Sequence, residues 1–247
     1  MKKFLLIIFL LLSILEMQSQ TQGTKFSFNL SQDPVFGLIP TAKICLSTNT
    51  DSQLLFYGKI WESKKVSDTL GKIEASPEFG VGIVLPFFEK KLQLTPYLGI
   101  GNGNYHSGGG NSVFLDYLAI GLYANLFNSN NFSINSEFNG RFYIRNAAYI
   151  RPKINELQWQ INPEYNFFNE HKIGVFLSQY ILYKKYWASS ATFTQFFWTG
   201  LSYRISIPQA YLWFSAGIDL VDYFDSGVSS QNKQLKDFYK LMINFNL

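Results

Sequence analysis

Apolar and polar residues alternate with a period of two along this chain, over spans longer than strands of ordinary soluble sheets. Between residues 132 and 145, Phe132, Ile134, Phe138, Phe142 and Ile144 share one face of an extended chain, and Asn135, Glu137, Asn139, Arg141, Tyr143 and Arg145 share the other, because successive side chains of a strand point to opposite sides. The next segment repeats the pattern, with Leu157, Trp159, Ile161, Tyr165 and Phe167 set against Glu156, Gln158, Gln160, Asn162, Glu164 and Asn166. Soluble strands run roughly 5–6 residues, whereas crossing a bilayer at a tilt takes roughly 9–11. Both segments reach the second length.

The mature sequence holds no apolar run of transmembrane-helix length. Its apolar stretches are broken every second or third residue by Asn, Gln, Ser, Gly or a charge. In hydrocarbon only helices and closed barrels satisfy every backbone polar group. The pattern therefore predicts an all-β fold, a closed antiparallel up-and-down transmembrane barrel of about twelve strands. The strands are expected near residues 24–31, 42–49, 53–62, 76–86, 92–103, 113–127, 132–146, 156–168, 173–186, 192–206, 210–223 and 237–247. Short connections at 50–52, 87–91, 128–131, 169–172 and 207–209 alternate with longer ones at 32–41, 63–75, 103–112, 147–155, 187–191 and 224–236. Short periplasmic turns opposite longer outer loops are the arrangement of outer-membrane barrels.

The competing fold is an exported soluble β-sandwich. Its outer faces would carry charge freely, yet the apolar face of strands six to twelve is almost uncharged, with Asp116 and Asp222 near predicted outer ends. A lipid face has that constraint, since Arg or Lys at the midplane costs about 2–4 kcal/mol. Composition agrees: aromatics make up 18% and charged residues 15% of the chain, against roughly 25% charged in soluble domains.

The N-terminus reads Met-Lys-Lys followed by an apolar run over residues 4–15, the form of a secretory signal peptide. The run is too short for a bilayer-spanning helix, which needs roughly 20 residues. Cleavage is expected after Ser19, giving a leader of residues 1–19 and a barrel of residues 20–247. Loss of Lys2, Lys3 and Glu16 lowers the net charge from +4 to +3, too mild for a nucleic-acid partner. Cys45 is the single cysteine and is expected to be a small strand residue without a disulfide.

Residues 237–247 place Tyr239, Leu241, Ile243, Phe245 and Leu247 on one face. This resembles the C-terminal strand of bacterial outer-membrane β-barrel proteins, although their terminal aromatic is here Leu247, with Phe245 two places before it. The resemblance covers the mature chain, is generic and porin-like, and points to no narrower subfamily; the Asn-, Lys-, Phe- and Tyr-rich style is similar to that of Bacteroidota-type proteins. It implies the outer membrane as location, with outer-membrane lipid and the barrel-assembly machinery as partners.

Inward parity collects a charge network of Glu137, Arg141, Arg145, Glu156, Glu164, Lys184, Arg204, Asp219 and Lys240. Lys25, Lys43, Lys59 and Glu78 are further inward candidates. Counting back from the loop at 147–155 sets Arg145 beside Glu156, Arg141 beside Gln160 and Glu137 beside Glu164, and the next hairpin sets Lys184 beside Glu156. Opposed charges across a lumen orient permeating solutes, and they also fill a small barrel by mutual pairing. The first expectation is accordingly a narrow passive channel for small polar solutes. The second is a non-conducting barrel that serves a surface or secretion complex, with the connections at 63–75 and 224–236 as its contacts.

A lipid-modifying enzyme at the rim is the third reading. His106 and Ser107 lie in the glycine-rich connection at 103–112. Outer-membrane phospholipase A and the lipid A deacylases place a His and a Ser near the rim, but adjacent residues of a strand face opposite sides and do not activate one another. Omptin proteases use Asp and His groups at the mouth, for which Asp116, Asp219 and Asp222 are the available acids. The Glu137–Glu164 pair resembles a proton-sharing dyad, offset here by Arg141. No catalytic residue is assigned. Two histidines and one cysteine, far apart, give no metal-ligand spacing, and no cofactor is expected.

Overall fold

The computed structural model describes residues 23–33, 37–48, 50–63, 74–101, 117–143, 153–168, 170–185, 192–220 and 237–246. They form twelve strands: β1 (Thr24–Asp33), β2 (Gly37–Ser47), β3 (Gln53–Ser63), β4 (Glu74–Phe87), β5 (Leu92–Gly101), β6 (Tyr117–Asn128), β7 (Phe132–Tyr143), β8 (Lys153–Phe168), β9 (His171–Lys185), β10 (Thr192–Ile207), β11 (Ala210–Asp219) and β12 (Asp237–Asn246). Each pairs antiparallel with its sequence neighbours, and β12 returns to β1 from Ser27↔Asn246 to Gln32↔Leu241. The fold is the expected closed transmembrane barrel. It has no free edge to template further pairing. No described helix is long and apolar enough to cross a membrane; the strands do so. The leader assigned to residues 1–19 lies outside the described residues.

Parity holds around the ring. Val81, Leu98, Phe138, Leu201, Phe214 and Tyr239 are exposed on the outer face, while their chain neighbours turn into the lumen. A greasy exterior of this size on a water-soluble monomer would be an association hazard; in a bilayer it is the lipid contact. At the short-turn end Tyr165, Phe167, Phe168 and Tyr203 add exposed aromatics, as in the interfacial girdles of such barrels. His171 belongs here: it opens β9 and its Nδ1 lies 2.5 Å from the Tyr203 hydroxyl.

The short turns fall where expected. In the β4–β5 turn Phe88, Glu89 and Lys90 all take positive φ (51°, 55° and 68°), each at a steric cost that glycine would not bear. The β1–β2 connection differs from expectation, shrinking from residues 32–41 to 34–36 because β2 begins at Gly37 and continues through Pro40. The ladder from β2 to β3 starts only at Thr41↔Lys59, so Pro40 sits in an edge-like position where its missing N–H is tolerated. Deeper prolines mark breaks in pairing. The β4–β5 ladder lacks paired residues between Gly82↔Tyr97 and Leu85↔Leu94, at unchanged register, opposite Pro96. The β8–β9 ladder lacks paired residues between Ile161↔Leu177 and Glu164↔Gly174, at unchanged register, at Pro163, and its register shifts only between Asn166 and Phe168.

Inward glycines on β4–β6 make room for tyrosine rings. A Cβ on Gly101 would overlap the Tyr117 ring, and one on Gly121 the Tyr97 ring. With Gly80 and Gly99 leaving room for Tyr57, the Tyr57 and Tyr97 rings meet edge-on with centroids 5.3 Å apart, and Tyr97 stacks on Tyr123 with centroids 4.8 Å apart.

Candidate functional site: a polar lumen below a buried layer

The lumen divides into two halves along its axis. Toward the long connections, buried side chains fill it. Glu78, inaccessible to solvent, accepts from Tyr57 at 2.9 Å and Tyr117 at 3.1 Å, and pairs with Lys59 at 3.0 Å. Lys59 lies over the Tyr57 and Tyr97 rings, 5.3 Å and 5.6 Å from their centroids. On the neighbouring wall Arg141 pairs with Glu156 at 3.0 Å, both buried. Phe196 stacks on Trp198 at 5.3 Å and on Tyr180 at 6.2 Å; nearer the short turns, Phe176 meets Trp213 edge-on.

Toward the short turns lies a cavity of about 380 Å³. Its lining comes from ten of the twelve strands, β4 and β9 excepted, so it is the barrel lumen itself. Amides and hydroxyls dominate the wall, among them Asn29, Thr41, Gln93, Asn135, Gln158 and Asn162. Two struts cross it. Lys240 Nζ on β12 donates to Gln160 Oε1 on β8 at 3.2 Å, and Lys43 on β2 sits 4.1 Å from the centroid of the Tyr123 ring on β6, a cation–π approach. Glu164 is held by Arg204 at 3.0 Å, Asn162 at 2.9 Å and Asn135 at 3.3 Å. Ser202 fixes the Asn162 amide by donating to its Oδ1 at 2.9 Å, and Arg204 stacks on Tyr211 at 4.8 Å.

Of the expected charge network, Glu137, Arg204 and Lys240 line the cavity and Arg141, Glu156 and Glu164 are buried, but they do not pair as counted from the loop. Arg141 lies opposite Glu156, Glu137 opposite Gln160, and Glu164 opposite Ser133. The expected Arg141–Gln160 and Glu137–Glu164 pairings do not occur, and Glu164 finds its cation across the other hairpin, on β10. Lys184 pairs with Ile154, while Glu156 meets Leu182. The reason is physical. A register slip of an even number of residues keeps every side chain on its face, so parity cannot detect it; the turn decides. Glu137 faces the cavity with Lys43 and Lys240. Arg145, His106, Ser107, Asp116 and Asp222 lie outside the described residues, as do the side chains of Lys184 and Asp219. Lys25, cross-strand from Cys45, is exposed at the short-turn mouth.

The inward aromatics of β9–β11 were available from the same alternation but are easily credited to the lipid face, since a barrel interior is expected to be polar. Among the described residues no group of three His, Cys, Asp or Glu is arranged to hold a metal.

The whole sequence, residues 1–247, matches the model of a family of unknown function, DUF6733. The chain belongs to that family. No curated protein matches it. Similar solved structures are outer-membrane barrels. An outer membrane channel from Pseudomonas putida F1 shares 10% identity, covers 91% of this chain and 94% of its own, and superposes with a TM-score of 0.59. The NanC porin shares 6% identity over 91% of this chain and 100% of its own, with a TM-score of 0.48. LpxR from Salmonella typhimurium shares 9% identity over 90% and 99%, with a TM-score of 0.45. At such identities the likeness is one of fold, and the Pseudomonas channel supports it.

Proposed function

We propose that this DUF6733 chain is a bacterial outer-membrane channel for small polar solutes, acting by passage and not by catalysis. The supporting observation is the cavity walled by ten strands, whose polar lining replaces water around a solute. The short turns face the periplasm, as in barrels of this type. On the long-connection side the buried layer around Glu78, Arg141 and Trp198 is read as the constriction of that path. That same layer favours a second reading, a non-conducting barrel in a surface complex.

Planar-bilayer recording separates the two. A channel gives small discrete current steps, and Tyr117→Ala, which removes a buried ring from the closing layer, is expected to enlarge or lengthen them by about twofold or more. Absence of steps from both the wild type and Tyr117→Ala overturns the channel reading and leaves the non-conducting barrel.

A further inference from the structure

The cavity wall carries two rows of neutral side chains. On β5 to β8, Gln93, Asn125, Asn135 and Asn162 stand directly beside one another across the ladders. On β12, β1 and β2, Asn244, Asn29 and Thr41 do the same. Both rows line the cavity. They face each other across it, because β1 and β7 lie half-way round the closed ring from one another. The cations of the described lining are engaged by protein groups: Lys59 by Glu78 and Arg204 by Glu164, Lys240 by Gln160 and Lys43 by the Tyr123 ring. Rings are engaged as well, since Tyr123 also stacks on Tyr97 and Tyr211 lies under Arg204. The amides keep spare capacity. Among the described residues, the buried Oδ1 atoms of Asn125 and Asn244 have no hydrogen-bond partner, and Asn244 as a whole is only 8% exposed. A half-turn about χ2 exchanges the oxygen and nitrogen of an amide within one outline, so such a side chain offers the cavity a donor or an acceptor.

We infer that the cavity is a binding site for a neutral polyhydroxylated solute of monosaccharide size, held between the two amide rows. A sugar hydroxyl both donates and accepts, which complements an amide that does the same, and rows on opposite walls reach both edges of the ring. A charged ligand has to displace a pairing the protein already makes, leaving a buried partner behind. A flat aromatic ligand finds Tyr123 and Tyr211 already occupied. The volume of about 380 Å³ lies at the lower end of the roughly 300–1,000 Å³ of small-molecule sites. Such a wall replaces the water around a passing sugar with hydrogen bonds that are individually weak enough to let it leave. The place of this site in transport rests on the channel reading; the binding itself does not.

Two measurements test this. Calorimetric titration of the full barrel with D-glucose, in a detergent that has no sugar head group, is expected to show saturable binding, with sodium glucuronate bound more weakly. Glucuronate bound as tightly as glucose, or tighter, overturns the inference, and this comparison needs only the wild type. Asn29→Ala combined with Gln93→Ala, one from each row, is expected to weaken glucose binding about tenfold through two lost hydrogen bonds; unchanged affinity in that variant, once folded, puts the sugar elsewhere and also overturns it. In planar bilayers, glucose is expected to lower the current steps in a saturable way. Steps that glucose leaves unchanged, with no calorimetric binding, remove the sugar site and leave the channel standing. Saturable glucose binding without any steps upholds the site and removes the channel. Where neither steps nor binding occur, both fall.

Discussion

Replacing Glu78 with alanine is expected to destabilise the barrel by about 3–5 kcal/mol, because it strands a buried cation and removes the acceptor of two buried hydroxyls. Lys59, Tyr57 and Tyr117 all converge on this one carboxylate, and none of the three is exposed. The loss is therefore mainly the desolvation cost of partners left behind, not the strength of the contacts themselves. That distinction predicts a rescue. Lys59→Met with Glu78→Gln removes the cation and keeps an amide oxygen for the tyrosines, and should return to within about 1–2 kcal/mol of wild type. Denaturant unfolding in lipid vesicles, followed by tryptophan fluorescence, measures both. If the double variant is as unstable as Glu78→Ala, the layer is held by shape and not by paired charge.

The second large effect belongs to the outer face. Leu98→Arg is expected to cost about 2–4 kcal/mol in the same assay. Leu98 is exposed and flanked by outward Val81 and Ile120, so an arginine there has hydrocarbon around it and no acid in the adjoining rows. Gln93→Lys places a cation in the lumen wall and should stay within about 0.5 kcal/mol of wild type. A soluble sheet would show the reverse order, tolerating the exposed arginine and rejecting the buried lysine.

Fold class and strand count could be read from the chain because period two is a local property of each span, and hydrocarbon punishes exceptions on one face. Which charges share the lumen was readable for the same reason: Arg141, Glu156, Glu164, Arg204 and Lys240 all face inward. Who pairs with whom was not. Arg141 meets Glu156 instead of Gln160 because β7 and β8 slide past one another by an even step, which the pattern of faces cannot register. The start of β2 was hidden by Pro40, whose tolerance depends on how far β3 extends alongside it. The closing layer around Glu78 was hidden as well. It is assembled from β3, β4 and β6, and needs Gly101 as a hollow for the Tyr117 ring, a match between strands that no single segment states.

Two solvents on alternate residues is the claim under everything else. Spin labels on single cysteines in a Cys45→Ser background test it, placed outward at positions 81, 98 and 120 and inward at 93 and 158. In vesicles the outward labels should be relaxed by dissolved oxygen and shielded from an aqueous nickel chelate, and the inward labels should show the opposite. Nickel access at 81, 98 and 120 equal to that at 93 and 158 would mean that no bilayer surrounds this barrel.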